Sequence, residues 1–264
     1  MTGGGASTKA ITSLTNPTVK AVRALHMRKT REETGHFLVE GLKSVAEAVA
    51  LGRAPRILLH GDAAADHPLL RQAAEAADET LVVSPAILEK ISRRENPQTV
   101  LAVFDQLFTP LEALDPTAAR CWVALEAVRD PGNLGTIVRT ADAAGCGAVI
   151  LVGECCDPYS IEAVRATMGS VFAVPIVRAT ITQFLAWRKT WPGAVVGTLL
   201  SATVNFRAAS YAGPVLLLMG NEQAGLTPEM AEACDVAVKI PMRGRADSLN
   251  LAVATGVMIY AATA

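Results

Sequence analysis

The chain has little of several features that mark particular classes of protein. Aromatic residues make up only 5% of its 264 residues, which argues against binding nucleic acid mainly by stacking bases on aromatic side chains. The net charge is −1, so no overall field attracts polyanions. Charged residues amount to 19% and hydrophobic residues to 51%. This balance excludes an intrinsically disordered chain and predicts a sizeable buried core.

Metal-site spacing and membrane-spanning runs are also missing. The sequence has four histidines, all in the first half, and five cysteines with no C-x-x-C pair: Cys121, Cys146, Cys155, Cys156 and Cys234. An odd number of cysteines without ligand spacing predicts free thiols, a reducing compartment and no metal site. No apolar signal sequence opens the chain, and the uncharged stretch 249–264 is too short to span a bilayer. We therefore expect a cytoplasmic protein without a membrane span.

The common nucleotide-binding and hydrolase motifs are absent. There is no G-x-x-x-x-G-K-[ST] and no G-x-S-x-G, and GCGAVI at 145–150 lacks the last glycine of G-x-G-x-x-G. The absence of these motifs disfavours a P-loop NTPase, an α/β-hydrolase and a nicotinamide-dependent enzyme.

The hydrophobic pattern predicts two α/β domains. Residues 1–105 alternate short strands with helices, including a helix at about 17–30, and form a small α/β domain. Residues 106–120 contain Pro110 and Pro116 and form the linker. Residues 121–264 carry nearly continuous apolar strands, which predict a mostly parallel sheet covered by helices. Within this second domain we expect the terminal helix to begin at Ser248 as its N-cap.

Polar segments follow three of the predicted parallel strands, where such sheets bind their ligands. The first runs from Asp130 to Arg139 and has the pattern N-x-G-x-x-x-R, beginning at Asn133. The second is GNEQAGL at 220–226, and the third is IPMRGRADSLN at 240–250. A turn followed by a capped helix explains each segment taken alone.

Together and in this order, the three segments resemble the motifs of the SpoU (TrmH-type) RNA 2′-O-ribose methyltransferases of the SPOUT class. The resemblance spans about 121–261, and segments at 16–25, 37–48 and 96–103 resemble the family's N-terminal substrate-binding domain. It implies a trefoil knot in the C-terminal domain, S-adenosylmethionine as methyl donor, and a homodimer formed through that domain. A knot is too rare to be expected without the family.

The resemblance also implies roles for individual residues. The catalytic set would be Arg139, Asn133, Glu222, Ser248 and Asn250. The cofactor pocket would be lined by Leu199, Gly220, Ile240, Met242, Ser248 and Leu249. Ala252 and Ala261 depart from more polar residues that are frequent in the family, which leaves details of the dimer open. A guanidinium stays protonated, so Arg139 is expected to grip a phosphate and stabilise developing charge rather than act as a base.

The expected substrate is RNA, with ribosomal RNA as the main hypothesis. Transfer RNA as substrate, and an RNA-binding assembly factor without activity, remain alternatives. The first 31 residues carry six basic residues and no acidic ones, which favours phosphate contacts. The expected RNA-binding residues are Arg23, Arg28, Lys29 and Arg243. A solvated basic helix face explains the N-terminal charges equally well.

Overall fold

A computed structural model of the chain describes residues 8–64 and 66–264. The fold divides into two compact units. The first contains the residues up to Gln106 together with Tyr159–Phe172, and the second contains Leu107–Pro158 and Ala173–Ala264. The sequence pattern predicts 159–172 as part of the second domain, whereas this segment packs within the first unit. Residues 1–7 of the expected first domain lie outside the described residues.

The first unit is built on a five-stranded mixed sheet in the order β1-β4-β3-β5-β2. Strands β2 and β3 pair antiparallel with β5, and the remaining pairs are parallel. The strands are β1 (Thr8–Ile11), β2 (His36–Glu40), β3 (Ile57–His60), β4 (Glu79–Val83) and β5 (Val100–Asp105). The helices are α1 (Pro17–Ala24), α2 (Arg28–Thr34), α3 (Leu42–Ala50), α4 (Pro68–Ala76) and α5 (Pro85–Ser92).

The single helix expected at about 17–30 is two helices. Met27 is extended (φ −89°, ψ 129°) and separates α1 from α2. The carbonyl of Leu25, at the end of α1, accepts a hydrogen bond from the guanidinium of Arg31 at 2.7 Å. Arg31 is therefore a buried structural residue that satisfies a helix end, although in the sequence it is one of the six basic residues of the N-terminus.

Alternate strand residues of this sheet form two apolar layers. One layer includes Leu59, Leu81 and Leu101 and is covered by apolar residues of α1 and α5. Phe37 and Phe104 belong to the other layer, where both rings contact Phe172. The period of two expected for a strand therefore separates the apolar layer that α1 and α5 cover from the layer that contains Phe37 and Phe104.

The second unit contains a seven-stranded sheet in the order β10-β12-β9-β11-β6-β7-β8, and every pairing in it is parallel. This confirms the expected mostly parallel α/β fold. The strands are β6 (Cys121–Glu126), β7 (Val149–Val152), β8 (Ile176–Ala179), β9 (Ala194–Thr198), β10 (Val204–Asn205), β11 (Val215–Met219) and β12 (Val236–Lys239). The helices in this part of the chain are α6 (Pro131–Ala143), α7 (Ile161–Thr167), α8 (Ile181–Arg188), α9 (Pro228–Glu232) and α10 (Leu251–Thr263); α7 belongs to the first unit and packs on β2.

The strand register brings three polar segments to one edge of this sheet. Met219, the last residue of β11, pairs with Leu125 of β6 and with Thr198 of β9. The chain leaves these three strands at the same level, and Thr198 also pairs with Val238, next to the last residue of β12. The polar segments that follow β6, β11 and β12 therefore emerge at the same edge of the sheet. The site predicted from the motifs is therefore to be sought beyond these carboxyl ends.

The terminal helix begins later than expected. Asn250, not Ser248, is the N-cap of α10, and its Oδ1 accepts hydrogen bonds from the backbone N–H groups of Ala252 and Val253. The Ser248 hydroxyl instead lies 3.3 Å from a carboxylate oxygen of Asp247.

Among the described residues, no helix combines the length and apolar character needed to cross a membrane.

Candidate active site

A cavity of about 710 Å³ opens beyond the carboxyl ends of β9 and β11. Its walls include all six residues expected to line a cofactor pocket: Leu199, Gly220, Ile240, Met242, Ser248 and Leu249. They also include Asn133, Glu222 and Asn250, three of the residues expected to be catalytic. The volume lies within the range of about 300–1,000 Å³ that is usual for small-molecule sites.

The segment after β11 is a compact, preformed loop. Asn221 and Gly225 exchange backbone hydrogen bonds of 3.0 and 2.9 Å, and the Asn221 side chain accepts two more from backbone N–H groups inside the loop. Gly225 has φ +70°, which favours glycine. A Cβ atom on Gly220 would lie 2.1 Å from the carbonyl carbon of Gly225, so this close approach of backbone to backbone requires glycine.

A buried carboxylate holds the end of this loop. Glu126, the last residue of β6, is 2% exposed. Its two oxygens accept hydrogen bonds from the backbone N–H and the hydroxyl of Thr227, at 2.8 and 2.7 Å. The Thr227 hydroxyl in turn accepts from the N–H of Met230 and caps α9. Hydrogen bonds to a buried charge are the strong kind, so Glu126 anchors the loop to the sheet. The sequence gives no sign of this role, because Glu126 lies within an otherwise apolar strand pattern.

A second contact joins the same loop to the turn after β6. The Asn221 amide donates a hydrogen bond of 2.8 Å to the carbonyl oxygen of Ala127. Ala127 has φ +49°, a left-handed conformation that costs a residue with a Cβ about 1–2 kcal/mol. The hydrogen bond helps to keep this conformation, which turns the chain from β6 towards α6.

Three side chains from the three polar segments form one hydrogen-bonded chain. Glu222 accepts hydrogen bonds of 3.3 Å from the backbone N–H groups of Arg129 and Asp130, and one of 3.2 Å from the Asn133 amide. Asn250 donates its amide N–H to Oδ1 of Asn133 at 2.8 Å. The three motifs, up to 117 residues apart in sequence, therefore meet in one polar wall of the cavity.

The groups at the two ends of this row of three side chains determine the direction of its hydrogen bonds. The N–H groups at the start of α10 require the oxygen of Asn250, which turns its amide nitrogen towards Asn133. The oxygen of Asn133 accepts from that nitrogen, so the amide nitrogen of Asn133 faces Glu222. An ionised carboxylate only accepts hydrogen bonds, which completes the chain without a conflict.

Arg139 does not join this group. It lies six residues after Asn133 on α6, which places it about 9 Å along the helix axis and turns it about 120° away. The side chain is exposed, is not part of the cavity wall, and forms no ion pair within the described residues. Although both residues belong to the first motif, the helical phase keeps Arg139 apart from Asn133.

One unpaired polar atom in the cavity wall was not expected. The hydroxyl of Thr198, at the carboxyl end of β9, is buried and has no hydrogen-bond partner in the described part of the chain. Buried polar groups are rarely left without a partner in native proteins. A ligand in the cavity could supply the missing partner, because Thr198 lines the same space as Leu199 and Gly220.

The cysteines are free thiols, as the sequence predicts. Burial, together with the charges of Cys155, Glu222 and Asp130, raises the pKa of Cys156 to about 12. Burial also raises the pKa of Cys234 to about 11. Within 8–64 and 66–264, no group of three or more histidine, cysteine or acidic side chains is arranged to hold a metal ion.

The residues expected to bind RNA lie in both units. Arg28 and Lys29 on α2 each form an exposed ion pair one turn along the helix, with Glu32 at 2.7 Å and Glu33 at 3.7 Å. Arg23 lies on α1 beside the end of α5. Arg243 of the second unit is exposed on the segment between β12 and α10.

Comparison with known proteins identifies both parts of the chain. Residues 120–260 match the model of the SpoU rRNA Methylase family, and residues 16–102 match the MRM3-like substrate binding domain. The chain is 33% identical over 253 residues to the 23S rRNA (guanosine(2553)-2'-O)-methyltransferase RlmP of Bacillus subtilis. That alignment covers 96% of this chain and 98% of the relative.

Solved structures agree with this match. An AdoMet-bound rRNA methyltransferase from Sinorhizobium meliloti is 48% identical, with a TM-score of 0.91 and 97% of each chain covered. The SpoU methyltransferase AviRb from Streptomyces viridochromogenes, in complex with the cofactor AdoMet, is 30% identical with a TM-score of 0.84, covering 94% of this chain and 97% of AviRb. By fold, motif order and near full-length similarity, the chain belongs to the SpoU rRNA methylase family.

Proposed function

We propose that the protein transfers a methyl group from S-adenosylmethionine to a ribose 2′-hydroxyl of ribosomal RNA. One observation carries the proposal: Asn133, Glu222 and Asn250, from three separate motifs, form one hydrogen-bonded wall of the cavity that follows β9 and β11. Family membership and near full-length similarity to rRNA 2′-O-methyltransferases support the reaction.

The cavity fits S-adenosylmethionine, which supplies an activated methyl group when bound. The backbone of the Gly220 loop and the apolar side chains of Leu199, Ile240 and Met242 offer a narrow slot with peptide groups for a purine. The unpaired hydroxyl of Thr198 offers a further polar contact in the same slot. Ser248 and Leu249 complete the wall.

The polar wall positions the nucleotide rather than attacking it. Glu222 already accepts bonds from two backbone N–H groups and from Asn133, which suits a carboxylate that orients its neighbours. Asn133 and Asn250 are thereby held in single orientations beside the space where the ribose binds. Holding reacting groups in line is worth about 7–11 kcal/mol in well-oriented systems, so positioning is the larger part of catalysis.

Arg139 acts on the RNA from outside the cavity in this proposal. Its guanidinium can form a bidentate contact with a phosphate next to the methylated ribose. From there it stabilises the negative charge that develops on the 2′-oxygen.

The first unit supplies RNA affinity and selects the target. The proposed phosphate contacts are Arg23, Arg28 and Lys29 in this unit, and Arg243 in the second unit adds one more. Arg28 and Lys29 would exchange Glu32 and Glu33 for phosphates, an exchange that costs little because exposed ion pairs are worth only about 0–1 kcal/mol. The match of residues 16–102 to a substrate-binding domain supports this division of labour.

The proposal includes a homodimer formed through the second unit. Val253 and Tyr260 on α10 are 53% and 57% exposed and border a shallow, mainly apolar concavity between α6 and α10. Such a contiguous apolar surface suits an interface. Light scattering at micromolar concentration should give the mass of a dimer, and a stable monomer would contradict this part of the proposal.

Two further features belong to the proposal. After β12 the chain returns to pack α10 against α6, β6 and β11, which is compatible with the trefoil knot that the resemblance implies. The free cysteines suit a protein that works in the reducing cytoplasm.

The reaction can be tested with purified protein, S-adenosylmethionine carrying a tritiated methyl group, and transcribed 23S ribosomal RNA. Transfer should proceed in the presence of a metal chelator, and the label should be recovered as a 2′-O-methyl nucleoside after nuclease digestion. Total tRNA serves as the comparison substrate. Label found only on tRNA, or on a base rather than a ribose, would refute the assignment to ribosomal RNA ribose.

A further inference from the structure

A shallow groove of about 540 Å³ lies between α1 and the end of α5 on the first unit. Its charged lining residues are Arg23, Lys90, Arg93, Arg94, Glu89 and Glu95. The sequence predicts that only one of these cations, Arg23, binds RNA. The other three lie more than 60 residues later in the chain, in or just after a separate helix. Folding therefore joins basic residues that the sequence keeps apart.

The groove has a rigid floor. Helices α1 and α5 pack on each other through Val22, Ile87 and Ile91 of the apolar layer. The His26 ring donates a hydrogen bond from Nε2 to the carbonyl oxygen of Ile91 at 2.6 Å, which ties the end of α1 to the last turn of α5. Cations on such a framework are held near one another before any ligand arrives.

The charges of the groove are not balanced locally. Its four cations face two carboxylates, an excess of two positive charges on a chain whose net charge is −1. None of the four cations forms an ion pair within the part of the chain that the structure describes, whereas Arg28 and Lys29 on the neighbouring α2 are both paired. Lys90, Arg93 and Arg94 are also exposed.

Stabilisation of a helix end explains only part of this arrangement. Basic residues near the carboxyl end of α5 interact favourably with its dipole, by about 0.3–1 kcal/mol each. Arg23 lies in the last turn of α1 and interacts with the dipole of that helix instead, but neither dipole requires the two helix ends to share one groove. The chain also terminates α5 with Arg93 in a left-handed conformation (φ 56°), where glycine would be the less strained residue.

We propose that this α1–α5 basic groove is a phosphate-binding site for RNA, a proposal that rests on the proposed function. Guanidinium groups bind phosphate oxygens in pairs, and three of the four cations are arginines. No aromatic side chain lines the groove as described, so it recognises the RNA backbone without stacking on bases. The groove supplies affinity and register, and the cavity of the second unit supplies the chemistry.

The test replaces Lys90, Arg93 and Arg94 together by glutamine and measures binding to transcribed 23S ribosomal RNA across a range of salt concentrations. Each lost phosphate contact flattens the slope of log K against log salt by about 0.7, so three contacts predict a change of about 2. At moderate salt the affinity should fall at least about tenfold. The affinity for S-adenosylmethionine should stay as in the parent protein, and the melting temperature should fall by only a few degrees, because three helix-dipole interactions at the end of α5 are lost.

A matched control removes the same charge from residues of the first unit that do not line the groove. Lys43→Gln, Arg53→Gln and Arg71→Gln change exposed residues on or beside α3 and α4. This variant should bind RNA with the parent slope. If both triple variants lost the same RNA affinity, the loss would reflect net charge alone, which would contradict a specific groove. An unchanged salt slope in the groove variant would also refute phosphate binding by the groove.

The outcome is separable from that of the proposed function. Suppose that the parent protein transfers no methyl group but the groove variant loses RNA affinity. The phosphate-binding role of the groove would then stand, and the proposed methyltransferase activity would be refuted. If the parent protein methylates ribosomal RNA but the groove variant binds RNA normally, the methyltransferase activity would stand and the phosphate-binding role of the groove would be refuted.

Discussion

Asn250 makes two sets of hydrogen bonds, and one substitution removes only one of them. Its Oδ1 caps α10 by accepting from the N–H groups of Ala252 and Val253, while its amide donates to Asn133. Asn250→Asp keeps the capping oxygen and removes only the donor. Aspartate is as good an N-cap as asparagine, and its charge at a helix N-terminus is favourable by about 0.3–1 kcal/mol.

The same substitution disrupts the polar wall. It removes a hydrogen bond worth about 0.5–1.5 kcal/mol and puts a carboxylate oxygen opposite the oxygen of Asn133. Since the favourable charge at the helix N-terminus offsets the lost bond, the free energy of unfolding should change by less than about 1 kcal/mol, or about 2–4 °C in melting temperature.

Turning the Asn133 amide over does not relieve the conflict. Its nitrogen would then donate to the new carboxylate at position 250, but its oxygen would face the carboxylate of Glu222. In either orientation two acceptor oxygens oppose each other, so Asn133 must move away from its place in the wall. A displacement of about 1 Å at a reacting centre can cost about 100-fold in rate.

The assay is methyl transfer to 23S ribosomal RNA together with thermal unfolding of the same samples. Asn250→Asp should transfer methyl groups at least about tenfold more slowly while it melts within a few degrees of the parent protein. Asn250→Ala is the matched control: it loses the cap as well and should be less stable by about 0.5–2 kcal/mol. Parent activity in Asn250→Asp would refute the positioning role of the hydrogen-bonded chain.

Arg139, Gly220 and Cys156 provide further tests. Arg139→Ala should keep the affinity for S-adenosylmethionine within a few-fold and lower methyl transfer by about 100-fold, with little rescue by Arg139→Lys; near-parent activity would assign the charge stabilisation to another residue. Gly220→Ala should abolish cofactor binding in calorimetry, because its Cβ would lie 2.1 Å from the backbone of Gly225, and normal binding would contradict the close approach. Alkylation of Cys156 in the native protein should be slow at neutral pH and rise about tenfold per pH unit up to its pKa of about 12, since only the thiolate reacts; fast alkylation at neutral pH would contradict the buried environment.

Local patterns in the sequence are sufficient for much of the fold. The continuous apolar runs predict a mostly parallel sheet, and the seven-stranded sheet confirms it. The polar segments after β6, β11 and β12 are predicted as site segments because a strand end and a motif are both local features. The cavity wall contains every predicted catalytic and cofactor-binding residue except Arg139.

The remaining features depend on contacts between distant segments. Glu126 looks like a core position in its strand, and only the folded chain brings Thr227 to it across 101 residues. The phase of α6 turns Arg139 away from Asn133, although the motif contains both. Residues 159–172 carry an ordinary helix pattern, which does not reveal that Tyr159 and Phe172 pack on Phe37 of the first unit.

The most direct test of the account is a map of 2′-O-methyl groups in ribosomal RNA from cells with and without the gene. One ribose methylation should be lost on deletion, return with the parent gene and fail to return with Asn250→Asp or Arg139→Ala. An identical methylation map in the two strains, with purified protein inactive on 23S ribosomal RNA, would contradict it.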